Sequence, residues 1–243
     1  MPNKSRRVNT SNINRPTLEP HEAKHTMSKP PTHVTPNSAD GEMTRFELTG
    51  RDEPAAGSIE AAIERNRAFA AAGGHEGAVV LPTLRLFVIT CLDPRVDPAH
   101  FLALKLSEAI VVRNVGGRVT PEVINDVAFI SQIVENVLPD GPLFEVAVVH
   151  HTQCGAGALA DATFRRSYAQ RIGADESELR DHAVLDPVAT VTSDVRRLRS
   201  ASSIPPRVTI SGHVYDVVTG LVQTILRADC REGHPCPPRD QTR

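Results

Sequence analysis

Residues 144–154 read FEVAVVHHTQC, an apolar run rich in valine that passes straight into two histidines and a cysteine. A short run of this kind is what a parallel strand covered on both faces looks like. The polar residues directly after it then sit at the strand's carboxyl end. The same design occurs upstream, where LRLFVIT (84–90) is followed by CLDPR (91–95) and AIVVRNVGG (109–117) closes on two glycines. Between these runs lie helical patterns. DPAHFLALKLS (97–107) predicts a short helix, and PEVINDVAFISQIVENVL (121–138) a long one with proline at its first position. GAGALADATFRRSYAQRIG (155–173) and PVATVTSDVRRLRSA (187–201) also predict helices, and RVTISGHVYDVVTGLVQTIL (207–226) predicts two strands paired about Thr219-Gly220. Strands alternating with helices give an α/β fold with a mainly parallel central sheet. Strand order is not visible at this level.

Upstream of the first strand, SIEAAIERNRAFAAAGG (58–74) predicts a helix capped by Ser58 and stopped at Gly73-Gly74. Ile59, Ala62, Ile63, Phe69 and Ala70 share one face of it, with Asn66 as the polar exception. That face suits either this chain's own core or a second subunit.

The 243 residues carry 27 Lys and Arg against 29 Asp and Glu, a formal charge of −2. This excludes a general attraction to nucleic acid or anionic membrane and favours a small-molecule partner. No apolar run approaches the roughly 18 residues of a membrane span. The first residues, MPNKSRRVNTSNINRPTLEP, lack the apolar segment of a secretory signal. Four widely spaced cysteines do not make a disulfide framework, so a cytoplasmic location with free thiols is expected. Residues 1–54 are rich in Pro, Ser, Thr, Asn and His without apolar periodicity, and are expected to be disordered. Met27 and Met43 lie within them, so translation could also start further along. A core domain of residues 55–227 and a flexible tail of residues 228–243 complete the expected organisation.

Parallel strands deliver the residues past their carboxyl ends to one common edge. Cys91, His151 and Cys154 can therefore converge, although 60 residues separate the first two. Two thiolates and an imidazole suit Zn²⁺, and three protein ligands leave a fourth position for water. Each residue alone also has a plain structural reading, Cys91 as a small packing group and His151 as a hydrogen-bonded strand end. Asp93 and Arg95 could be a surface ion pair, or an arginine could hold the carboxylate off a metal. Gly155, Gly157 and Ala160 spell GxGxxA, with Asp175 further on, but HTQC separates the first glycine from the strand. A dinucleotide fingerprint needs that glycine at the strand end. The tail residues Cys230, His234 and Cys236 form a weaker metal candidate, and His150 and His213 are expected to be structural.

The ordered set CLDPR, RNVGG (113–117) and HHTQCG (150–155) resembles the β-class carbonic anhydrases, across essentially the whole core. The paired histidines and YDVVTG are similar to a bacterial and actinobacterial branch that includes carbonyl sulfide and carbon disulfide hydrolases. The resemblance implies a three-layer α-β-α fold, a homodimer or larger homo-oligomer, and one Zn²⁺ per subunit. It implies reversible hydration of CO2 to bicarbonate, with Cys91, His151 and Cys154 as ligands. Asp93 and Arg95 would be the catalytic dyad, with Asp93 binding zinc as fourth ligand in a closed state. Gly116 and Gly117 would shape the substrate pocket, and Gly155 would let the backbone come close at the metal loop. Gln153, Val115, Gly117 and Pro94 depart from the commoner family residues. Two other readings remain open: a carbonyl sulfide or carbon disulfide hydrolase on the same site, and a non-catalytic zinc protein with Asp93 permanently in fourth place.

Overall fold

The structure, a computed structural model, describes residues 59–230 apart from Pro139 and Gly141. Residues 1–54, the expected cap Ser58, and His234 and Cys236 lie outside the described residues. The elements in order are α1 (Ile59–Ala71), β1 (Leu86–Cys91), α2 (Pro98–Phe101), β2 (Ala109–Asn114), α3 (Pro121–Val137) and β3 (Glu145–His151). They continue with α4 (Ala162–Ile172), α5 (Glu176–Asp181), α6 (Pro187–Ser200), β4 (Thr209–Tyr215) and β5 (Val222–Asp229).

The strands form one sheet in the order β2-β1-β3-β4-β5. The first four are parallel, and β5 runs antiparallel to β4. Alternation along the strands divides the core in two. Phe87, Ile89, Val146 and Val148 point to the face covered by α3 and α6, where Val123, Val127, Val191, Val195 and Leu198 are buried. Each such wholly buried side chain contributes about 1.5–3 kcal/mol relative to exposure. Val88, Ala147 and Val149 point to the opposite face, where Phe101, Leu102 and Leu104 pack with Tyr215. The Phe101 and Tyr215 rings stack there at 4.6 Å. The α-β-α arrangement is present, but its second outer layer is thin, a four-residue helix and the loop behind it.

Local chemistry starts the long helices where the sequence predicts. Thr120 and Asp186 accept hydrogen bonds from the first-turn amides of α3 and α6, and Pro121 and Pro187 follow them in the first turn. One expectation changes, and two points left open by the sequence are decided. The stretch 155–173 is not one helix but a 3-10 turn over Gly155–Ala160 followed by α4. Asp161 makes the break: its backbone is extended and its carboxylate accepts from Phe164 N at 2.7 Å. The charged stretch after it holds a further helix, α5, because Asp175 caps that helix through Ser177 N. Finally, α1 buries none of its residues, so its apolar face does not serve this chain's own core.

Candidate metal centre

β1 and β3 are parallel neighbours, with Thr90 level with Val149. Their carboxyl ends therefore reach the same edge, β1 ending at Cys91 and β3 at His151. Cys154 follows three residues later, just before the 3-10 turn. The donor atoms of Cys91, His151 and Cys154 lie within 4.8 Å of one another, and the two Sγ atoms are 3.9 Å apart.

Two observations test whether this set fits a metal ion. His151 Nδ1 donates to the carbonyl of Thr152 at 2.9 Å, while its buried Nε2 has no protein partner. A buried ring nitrogen without a partner is costly unless something accepts its lone pair. The thiols show the same demand. The Cys154 S–H holds the Cys91 thiol far below the ordinary cysteine range, against the opposing effect of burial, and Cys154 is pushed up in return. A soft divalent cation satisfies both sulfurs and the imidazole nitrogen together.

Asp93 sits at the rim. Its Oδ1 accepts from Arg95 N at 2.9 Å and Nε at 3.0 Å, and its Oδ2 from the other guanidinium nitrogen at 2.7 Å. These bonds hold the carboxyl below the usual carboxylate range, outweighing burial. The same terminal nitrogen of Arg95 donates to the carbonyl of Gln153 at 3.0 Å. Gln153 occupies the left-handed region at φ 55°, which turns that carbonyl toward the arginine. Arg95 thereby ties the loop after β1 to the loop after β3.

Gly116 and Gly117 form a tight turn at φ 77° and 66°. A Cβ at Gly117 would come 2.9 Å from the backbone nitrogen of Cys91 and 2.9 Å from Thr90 C. The expected pocket residues therefore lie against a candidate ligand's own backbone, and only glycine allows the approach.

Arg113, the first residue of RNVGG, has a role that no local pattern signals. Its Nε donates to the carbonyl of Cys91 at 3.0 Å, and its two terminal nitrogens reach Asp93 O at 2.8 Å and Asp97 Oδ2 at 3.1 Å. It clamps the CLDPR loop from β2. His150, alternating with His151, points to the opposite face, toward α6. His213 lies in β4 between Ser211 and Thr224, away from the thiols. Asp175 caps α5 rather than ending a strand, which removes the dinucleotide reading. Cys230 is disulfide-bonded, so the expectation that all thiols are free does not hold for it and the tail cluster loses a thiolate. A cavity of about 560 Å³ lies between α4, α5 and α6, but Arg165 on its wall is engaged by the carbonyls of Leu159 and Ala160 and by Glu176.

The carbonic anhydrase family profile matches residues 86–222, more than half of the chain. The chain belongs to the carbonic anhydrase family. It is similar to β-carbonic anhydrase 1 of Mycobacterium tuberculosis, 28% identical over 159 residues that span 63% of this chain and 90% of that one. It is also similar to the carbon disulfide hydrolase of Acidianus sp., 27% identical over 158 residues, 56% of this chain and 74% of the hydrolase. Among solved structures, the carbonic anhydrase of Streptococcus mutans superposes with a TM-score of 0.59 at 30% identity, covering 70% of this chain and 99% of that one. The carbonic anhydrase resemblance and the α/β fold expected for it are thus both confirmed.

Proposed function

We propose that the chain is a zinc-dependent carbonic anhydrase, catalysing CO2 + H2O ⇌ HCO3⁻ + H⁺. The observation that carries this reading is the cluster of Cys91, His151 and Cys154, with the His151 Nε2 left for a metal. These three residues would hold one Zn²⁺, which supplies a Lewis acid that makes water acidic near neutral pH. The chain's own groups do the rest. The Asp93 carboxylate, kept ionised by its bonds from Arg95, would accept a hydrogen from water at the site, and Arg95 would hold that carboxylate away from the ion. The Gly116–Gly117 turn walls the side of Cys91. A permanently closed, non-catalytic zinc site fits less well, because it has no use for the arginine that restrains Asp93.

Similarity to the Acidianus carbon disulfide hydrolase supports a second reading, hydrolysis of carbon disulfide or carbonyl sulfide at the same centre. Parallel assays of bicarbonate from CO2 and sulfide from carbonyl sulfide separate the two. Zinc content close to one per chain, falling well below that in Cys154→Ser together with CO2 hydration, is the expected result. A Cys154→Ser protein that kept full zinc and full activity would sink the site assignment.

The domain organisation is part of the same proposal: a catalytic domain over 55–227 flanked by an N-terminal segment and a tail. No helix among the described residues is long and apolar enough to cross a membrane. A cytoplasmic location is part of the same reading, supported by the free thiols of Cys91 and Cys154, while the disulfide at Cys230 speaks against a reducing compartment. The uncovered apolar residues of α1 support a homo-oligomer.

A further inference from the structure

His150 is wholly buried next to a candidate ligand, yet it faces away from the thiols. Its Nε2 lies 3.2 Å from the carbonyl oxygen of Gly117 and 3.2 Å from Asp194 Oδ2. Both partners are acceptors, so this nitrogen carries a hydrogen. Its Nδ1 meets Thr190 Oγ1 at 2.8 Å. Asp194, fully buried on α6, accepts Arg118 Nε at 2.7 Å and a terminal nitrogen at 3.1 Å, and its Oδ2 also accepts from Val119 N at 3.3 Å. The remaining Arg118 nitrogen donates to the carbonyls of Asp181 and Ala183. A buried charge network this fully bonded fixes whatever it touches, because losing one member strands another.

What it touches is the 116–119 turn. Gly117 abuts the backbone of Thr90 and Cys91, and Gly116 abuts Ala156, two residues beyond Cys154, and Val184. The turn is therefore wedged between the two cysteine-bearing segments, with the network behind it. We propose that His150, Asp194 and Arg118 are positioning residues that seat the 116–117 turn against Cys91 and so set the geometry of the two thiols. The proposal rests on the metal-site reading above and extends it to groups that touch neither metal nor substrate.

The test uses the full chain loaded with Co²⁺, whose thiolate charge-transfer absorption reports sulfur–metal geometry. His150→Ala and Asp194→Asn should retain about one cobalt per chain while shifting that band. With zinc, the same variants should lose roughly tenfold in kcat for CO2 hydration while KM stays within about twofold. His150→Gln, whose amide nitrogen can still donate to Gly117 O, should restore the band and most of the rate. A band unchanged in folded His150→Ala and Asp194→Asn overturns the proposal, even if Tm falls. If His150→Ala does not fold, the shape-conserving Asp194→Asn decides by the same band. A wild-type chain with the cobalt band but no CO2 hydration removes the carbonic anhydrase reading alone, and the band comparison still judges the positioning. A wild-type chain with no thiolate–cobalt band removes both.

Discussion

Asp93 is gripped by three nitrogens of one residue, the backbone amide and two guanidinium nitrogens of Arg95. The bonds lower its folded pKa below the ordinary 3.8. The stability from this pair is therefore present above that ordinary value and is lost as pH falls through the lower folded value. Because the Arg95 side chain is 44% exposed, solvent screening limits the contribution to about 1 kcal/mol or less. Arg95→Ala should lower Tm slightly at neutral pH, with the two Tm curves converging in acid. Its effect on catalysis should be far larger, a loss of roughly 10- to 100-fold in CO2 hydration followed by stopped flow, because Asp93 is released toward the metal. Unchanged hydration would contradict the dyad.

Two glycines separate the cost of backbone conformation from the cost of space. Gly173 ends α4 in the left-handed region at φ 67°, and a Cβ there would meet nothing within 4 Å. Gly117 has nearly the same φ, 66°, but its Cβ would overlap the backbone of Thr90 and Cys91. Gly173→Ala should cost about 1 kcal/mol. Gly117→Ala should cost about 3 kcal/mol or more, since β1 would have to move as well. Urea unfolding of the two variants measures the difference, and equal costs would mean that the turn yields freely. Elements were otherwise well marked by their residue patterns. Pro121 with its apolar repeat announced α3 and the helical pattern over 187–201 announced α6, whereas α5 was hidden because a six-residue helix with one buried residue, Leu179, has no readable period.

In the whole molecule, α1 stands out because none of its residues is buried. Ile59 is 67% exposed, Ile63 44% and Phe69 45%, an apolar face that a stable monomer would not leave in water. Sedimentation should give at least twice the 26.3 kDa chain mass, and Ile59→Glu with Ile63→Glu should shift the protein toward monomer. A wild-type monomer at micromolar concentration would refute the assembly. The amino-acid sequence by itself determined the type and order of the elements from β1 through α3 to β3 and the identity of the residues at their ends. Periodicity, capping and the residue after a strand are local properties, and Cys91, Asp93, Arg95, His151 and Cys154 were all legible on that basis. Only the tertiary structure decided the order β2-β1-β3-β4-β5, the clamp of Arg113 on the Cys91 loop, and the split between His150 and His151. It also joined Arg118 to Asp194 across 76 residues. Such partners are set by which strands pair and which helix covers them, a choice made by the packing of the whole sheet rather than by any stretch of chain.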